Sequence, residues 1–164
     1  MKSELACDLG DLSLFEVDDA RRLAGELFRR GFRLEIANFP RHFVIVRQGS
    51  DSAIGYVHYT KSDNAYLAGG LVVSALEFRR FDENTANLVR SEGGLAEWAM
   101  RTTCNWLDAD AIFAYMGDAK SIRVLTRIGF AFTGNKHLYV FWKKPLPAEE
   151  KAKLVERIVS VGPF

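Results

Sequence analysis

The sequence predicts an α/β (α+β) fold: a mixed, mostly antiparallel central sheet with helices on both faces. Two observations lead there. From residue 42 onward, β-branched and aromatic runs alternate with helical patterns in the order β-β-β-α-β-α-β-β. The first three runs are joined by short turns, which implies antiparallel pairing, and the later alternation brings helices onto the sheet. The composition supports a packed core: 48% of the 164 residues are hydrophobic and 26% charged.

Taken in order, Asp18 or Asp19 caps a helix running to about Arg30. Ala20, Leu23, Ala24, Leu27 and Phe28 recur at helical spacing, and Gly31 is its expected stop. Residues 42–47 form a strand, Gln48-Gly49-Ser50-Asp51 a turn, and 53–59 the second arm of a hairpin. Asp63-Asn64 turns into a third strand over 66–73, where Gly69-Gly70 marks a bulge or a close backbone approach. Residues 82–107 are helical in composition, but Gly93-Gly94 breaks them, since each glycine costs a helix about 1 kcal/mol against alanine. Beyond the break Leu95, Trp98, Ala99, Thr102 and Trp106 share a face. Residues 111–115 are a buried strand. Asp118 caps a short helix with Ile122, Leu125 and Ile128 inward, and Gly129 ends it. Strands 130–133 and 138–142 flank an Asn135 turn. A final amphipathic helix, 148–161, turns Leu154, Val155 and Ile158 to one side. The strand Leu138-Tyr139-Val140-Phe141-Trp142 is apolar on both faces. It is expected either between helices, the favoured reading, or in a homodimer interface.

Several function classes are disfavoured. Lys plus Arg number 22 against 21 Asp plus Glu, so no nucleic-acid partner is expected. Cys7 and Cys104 make neither a disulfide framework nor a zinc site, and the three histidines lack metal-ligand spacing, so no metal is expected. Cys104 reads as a small buried hydrophobe. The N-terminus Met1-Lys2-Ser3-Glu4-Leu5-Ala6-Cys7-Asp8 carries acids where a signal peptide needs an apolar stretch, and the longest uncharged run, 64–76, is too short and glycine-rich to span a bilayer. A soluble, reduced, cytoplasmic protein with no membrane partner is expected.

The most specific stretch is Asp118-Ala119-Lys120-Ser121-Ile122-Arg123-Val124-Leu125-Thr126-Arg127-Ile128-Gly129-Phe130, set between two strands. It resembles the second cofactor motif of the GNAT acetyltransferase superfamily: an Asn or Asp, a small residue, a short helix and a terminal Gly-Phe. Asp118 falls at the Asn position, Ser121 at the small-residue position, and Gly129-Phe130 at the end. The element order over 42–142 is similar to the same family. The resemblance implies a GNAT-like acyl-CoA N-acyltransferase fold over 1–164 as a single domain, with 146–164 a C-terminal helical extension.

The family's other hallmark is a strand followed by an Arg/Gln-x-x-Gly-x-Gly/Ala loop. Its glycines let backbone N–H groups approach the cofactor's pyrophosphate at a helix start. The candidate is Arg90-Ser91-Glu92-Gly93-Gly94-Leu95-Ala96, which fits irregularly: from Arg90 the sixth position is Leu95, and from Ser91 the leading Arg is lost. Residues 74–89 also intervene between strand and loop, with Arg79 and Arg80 as alternative phosphate ligands.

The implied cofactor is acetyl-CoA or a related acyl-CoA, and the implied reaction is acyl transfer to an amine of a small molecule or peptide. Leu71, Val72 and Val73 would pair with the pantetheine arm and polarise the thioester carbonyl. Arg90, Ser91, Gly93, Gly94 and Leu95 would hold the pyrophosphate. Asp118, Lys120, Ser121 and Arg123 would complete the site, and Arg79, Arg80, Arg90, Lys120 and Arg123 would make it locally basic. The catalytic residues stay unassigned. Glu77, His58 and Asp82 are candidate bases. The family's usual acid, a Tyr four residues before the helix-ending Gly, is Leu125 here, leaving Tyr115 and Tyr139 as substitutes. The alternative is a non-catalytic module of the same fold that binds CoA or a protein.

Overall fold

The computed structural model describes residues 5–164. The first four residues, part of the N-terminal stretch weighed above against a signal peptide, lie outside the described residues. The elements are β1 (Ala6–Leu9), β2 (Leu12–Val17), α1 (Arg21–Phe32), β3 (Arg41–Arg47), β4 (Ala53–Ser62), β5 (Ala65–Val73), α2 (Ala75–Phe78), α3 (Glu83–Ser91), α4 (Leu95–Trp106), β6 (Ala111–Tyr115), α5 (Ala119–Ile128), β7 (Ala131–Phe132), β8 (Leu138–Trp142) and α6 (Ala148–Val161). The strands form one sheet in the order β1-β2-β3-β4-β5-β6-β8-β7, and β5 with β6 is a parallel pair within it. Among the described residues no helix is long and apolar enough to cross a membrane.

The hairpin β1–β2 is not in the sequence reading. Leu9 pairs with Leu12 across the two-residue turn Gly10-Asp11, and β2 pairs antiparallel with β3. Leu12 and Leu14 are fully buried and alternate with Ser13, a period-two pattern that spans only these three residues.

Two compact units make up the chain. The first runs to His58 and resumes over Gly70–Trp106. Here Ala20, Ala24 and Phe28 of α1 bury against Val44, Val46 and Tyr56. Phe43, one residue from Val44 and so on the opposite face of β3, meets Trp106 of α4 with ring centroids 5.9 Å apart. Helices therefore cover both faces of this part of the sheet. Each large apolar side chain so buried contributes about 2 kcal/mol. The expected stop at Gly31 is corrected: α1 continues to Phe32, and Arg33 takes the left-handed conformation at φ 57°. Gly31 instead lets the helix approach β5, because a Cβ there would stand 3.0 Å from Val72 Cγ2.

The second unit comprises Tyr59–Gly69 and Leu107–Phe164. Phe113, Leu138 and Val140 bury with Leu154 and Ile158 of α6. Phe141, on the other face of β8, packs on Phe130 at 5.6 Å and on Gly129. The aromatic strand β8 thus lies between β6 and β7, with one face on the α6 core. Asp118 accepts a hydrogen bond from the Ser121 N–H at 2.9 Å, and Gly129 closes α5 at φ 119°.

Candidate functional site

The central feature is β5, whose residues 65–69 belong to the second unit and 70–73 to the first. Its parallel register with β6 runs from Ala65 opposite Ala111 to Ala68 opposite Ala114. The strand then kinks at Gly69-Gly70 and continues to Val73, so Leu71, Val72 and Val73 have no registered β6 partner. Gly70 is left-handed at φ 62°, and a Cβ there would lie 2.7 Å from the His58 ring and from Phe28. Only glycine admits both this backbone and this contact.

His58 belongs to a buried chain of polar groups. Its Nδ1 lies 3.2 Å from the Tyr56 hydroxyl, which lies 2.9 Å from Nδ1 of His42. Tyr56 and His42 are each 1% exposed. Burial, reinforced by repulsion from His42 when that ring is protonated, pushes the His58 pKa down to about 4. Burial lowers His42 as well and raises Tyr56. All three groups are neutral at pH 7, so His58 offers an imidazole lone pair beside the Gly70 backbone. Sequence reading named His58 but missed its partners, because β3 and β4 meet only through strand pairing.

The other candidate bases are engaged. Glu77 accepts from Arg80 Nη1 at 2.8 Å. Asp82 caps α3, accepting from the Thr85 N–H at 2.8 Å, and its pKa is lowered chiefly by that bond.

The turn between α3 and α4 has its own occupants. The Gly93 N–H donates to the Arg90 carbonyl at 3.0 Å, and the Gly94 N–H to the Val89 carbonyl at 2.9 Å. Both donors are therefore consumed in closing α3. The Glu97 carboxylate folds back over the turn: a Cβ on Gly93 would overlap it, and this is why a glycine at φ 84° sits there. Arg101 holds Glu97 at 2.5 Å and Glu92 at 3.1 Å, so two carboxylates flank the start of α4. Arg90 is exposed, donates to Asn87 at 2.9 Å and lies over the Phe78 ring at 5.3 Å. The Ser91 hydroxyl donates to the Leu88 carbonyl at 2.7 Å. Leu95 is buried and opens α4.

In the second unit, Asp118, Lys120, Ser121 and Arg123 share the first turns of α5. Asp118 accepts from both the Ser121 hydroxyl (2.6 Å) and N–H, and these bonds hold its carboxyl below the usual range. Lys120 and Arg123 are exposed, and Leu125 is a 3% exposed core residue. Tyr115 packs edge-on to Phe164 at 4.9 Å and Tyr139 on Phe132 at 5.4 Å.

No family model matches the chain, and no curated protein matches it in sequence. Solved structures do. The chain is similar to the ribosomal-protein-S5-alanine acetyltransferase of Vibrio fischeri, with TM-score 0.60 and 17% identity over 87% of this chain and 100% of that one. It is similar to mutant forms of the spermidine/spermine N-acetyltransferase SpeG of Vibrio cholerae, with TM-score 0.55 and 10% identity over 90% and 98% of the two chains. A GNAT-family acetyltransferase of Bacillus anthracis gives TM-score 0.53 and 13% identity over 84% and 98%. The architecture is that of the GNAT acetyltransferases.

Proposed function

We propose that this protein is an N-acetyltransferase that moves the acetyl group of acetyl-CoA, or a related acyl-CoA, to an amine of a small molecule or peptide. The observation that carries the reading is β5, which leaves its β6 register at Ala68 and runs on past the Gly70 kink. Such a strand presents unregistered backbone groups at 71–73 to an amide-bearing arm, with a N–H available to polarise a carbonyl. Bound acetyl-CoA would supply the thioester, whose carbon–sulfur bond breaks to release the CoA thiolate as the carbon–nitrogen bond to the amine forms.

The chain's own residues take defined parts. Leu71, Val72 and Val73 hold the pantetheine, and, within the second unit, Asp118 and Ser121 order the start of α5, where Lys120 and Arg123 are exposed. The acceptor attacks as its free amine, and His58, neutral and set against Gly70, accepts the proton that the nitrogen sheds during attack, directly or through water. A base with so low a pKa takes that proton only as the carbon–nitrogen bond forms, when the nitrogen becomes far more acidic than a free ammonium. The turn carrying Arg90, Ser91, Gly93, Gly94 and Leu95 fits a pyrophosphate poorly. Its glycine N–H groups are spent, and Glu92 and Glu97 set negative charge where phosphate would lie.

The test is thiol release from acetyl-CoA in the presence of a panel of amines, including a polyamine and a peptide with N-terminal alanine. The expected result is amine-dependent thiol release, reduced at least tenfold by Gly70→Val and by His58→Gln. Binding of acetyl-CoA with no thiol release for any amine would support the non-catalytic module instead.

A further inference from the structure

A groove of about 400 Å³ runs along the flank of α1 in the first unit. Arg22, Glu26 and Arg30 line it at successive helical turns, and Arg47, Glu77 and Arg80 line the facing wall. Four guanidinium groups stand against the carboxylates of Glu26 and Glu77 and of Asp11, which pairs with Arg47 behind the wall, leaving an excess of one positive charge. The donor inventory sharpens this. Arg22 has no carboxylate or hydrogen-bond partner among the described residues. Arg30 spends only Nε, on Glu26, and Arg80 only Nη1, on Glu77. Arg47 spends Nε on Asp11 at 2.6 Å and Nη1 on the Arg80 carbonyl at 3.2 Å, which fixes its fork and leaves Nη2. Several guanidinium N–H groups are therefore uncommitted around one groove, and guanidinium forks match phosphate oxygens in geometry and charge.

The groove also has an informative address. Ser74 lines it, immediately after β5, and its N–H is anchored to the Ile54 carbonyl at 2.8 Å. The segment that follows β5 thus leads into arginines, whereas the start of α4 leads into Glu92 and Glu97.

We infer that the α1 groove is the phosphate-binding site of this protein, and that it takes a phosphoryl or pyrophosphoryl group which the Gly93-Gly94 turn does not. The phosphate comes from the acyl-CoA itself or from a phosphorylated acceptor. Only the first source rests on the acetyl-transfer reading.

The experiment measures binding of inorganic pyrophosphate, acetyl-CoA and phosphate-free S-acetylpantetheine to the full chain by calorimetry. The variants are Arg22→Glu, Arg80→Glu and Arg90→Glu, all at exposed positions, with circular dichroism verifying the fold. Pyrophosphate is expected to bind the unaltered protein and Arg90→Glu alike, and to weaken about tenfold or more in Arg22→Glu and Arg80→Glu. If acetyl-CoA weakens in parallel while S-acetylpantetheine does not, the phosphate is the cofactor's. If acetyl-CoA is unaffected, or does not bind at all, while pyrophosphate is lost from the groove variants, the groove stands and its phosphate belongs to another ligand. Absence of pyrophosphate binding, or its loss in Arg90→Glu alone, overturns the inference.

Discussion

Tyr56 has one hydroxyl and two histidines to satisfy. It can donate to one Nδ1 and accept from the other, so His42 and His58 must hold opposite tautomers. Tyr56→Phe leaves both rings short of a partner in a buried setting and is expected to cost about 1–3 kcal/mol in urea unfolding. The same network sets a pH dependence. The folded pKa of His58, about 4, lies below its ordinary 6.5, so protons favour the unfolded chain between those values. The associated stability is whole above pH 6.5 and is lost as pH falls toward 4, by about 3 kcal/mol for His58. Unfolding midpoints at pH 7 and pH 4.5 check this: His58→Gln should flatten the difference, and an equal slope in both proteins would contradict it.

At the scale of elements, α5 was the most legible piece. Its signals are local: Asp118 at the cap, Ser121 three residues on, and Gly129 where a left-handed residue is required. Asp118→Ala is expected to destabilise the protein by about 1 kcal/mol in thermal unfolding and to loosen exchange protection in the first turn of α5. The break at Gly93-Gly94 was equally readable as a break, but its occupant was not. The sequence places Glu97 one helical turn before Arg101, yet nothing local says that its carboxylate folds back over Gly93. Gly31 misled for a related reason: its absent side chain serves the approach of Val72, a contact 41 residues away in the chain that carries no local mark. The β1–β2 hairpin was visible only as a short alternation, Leu12 to Leu14, and became a stable edge through its pairing with β3.

Across the whole molecule, a net charge of +1 conceals strong local imbalance. Arginines gather along the α1 groove while Glu92 and Glu97 gather at the start of α4. The fold class and the elements from β3 to α6, the short α2 after Ser74 excepted, were legible, because hydrophobic period and turn chemistry are read along the chain. The sequence could not assemble the groove, whose walls come from α1, the end of β3 and the segment after β5. The His42–Tyr56–His58 chain likewise exists only once strands are paired. The central claim is that β5, released from its neighbour and kinked at Gly70, holds an acyl-CoA. Calorimetric titration with acetyl-CoA tests it most directly. The account predicts saturable binding at one site per chain, lost when Gly70→Val drives a side chain into the His58 ring in a protein that remains folded. No heat at millimolar acetyl-CoA, or unchanged binding by that variant, would contradict it.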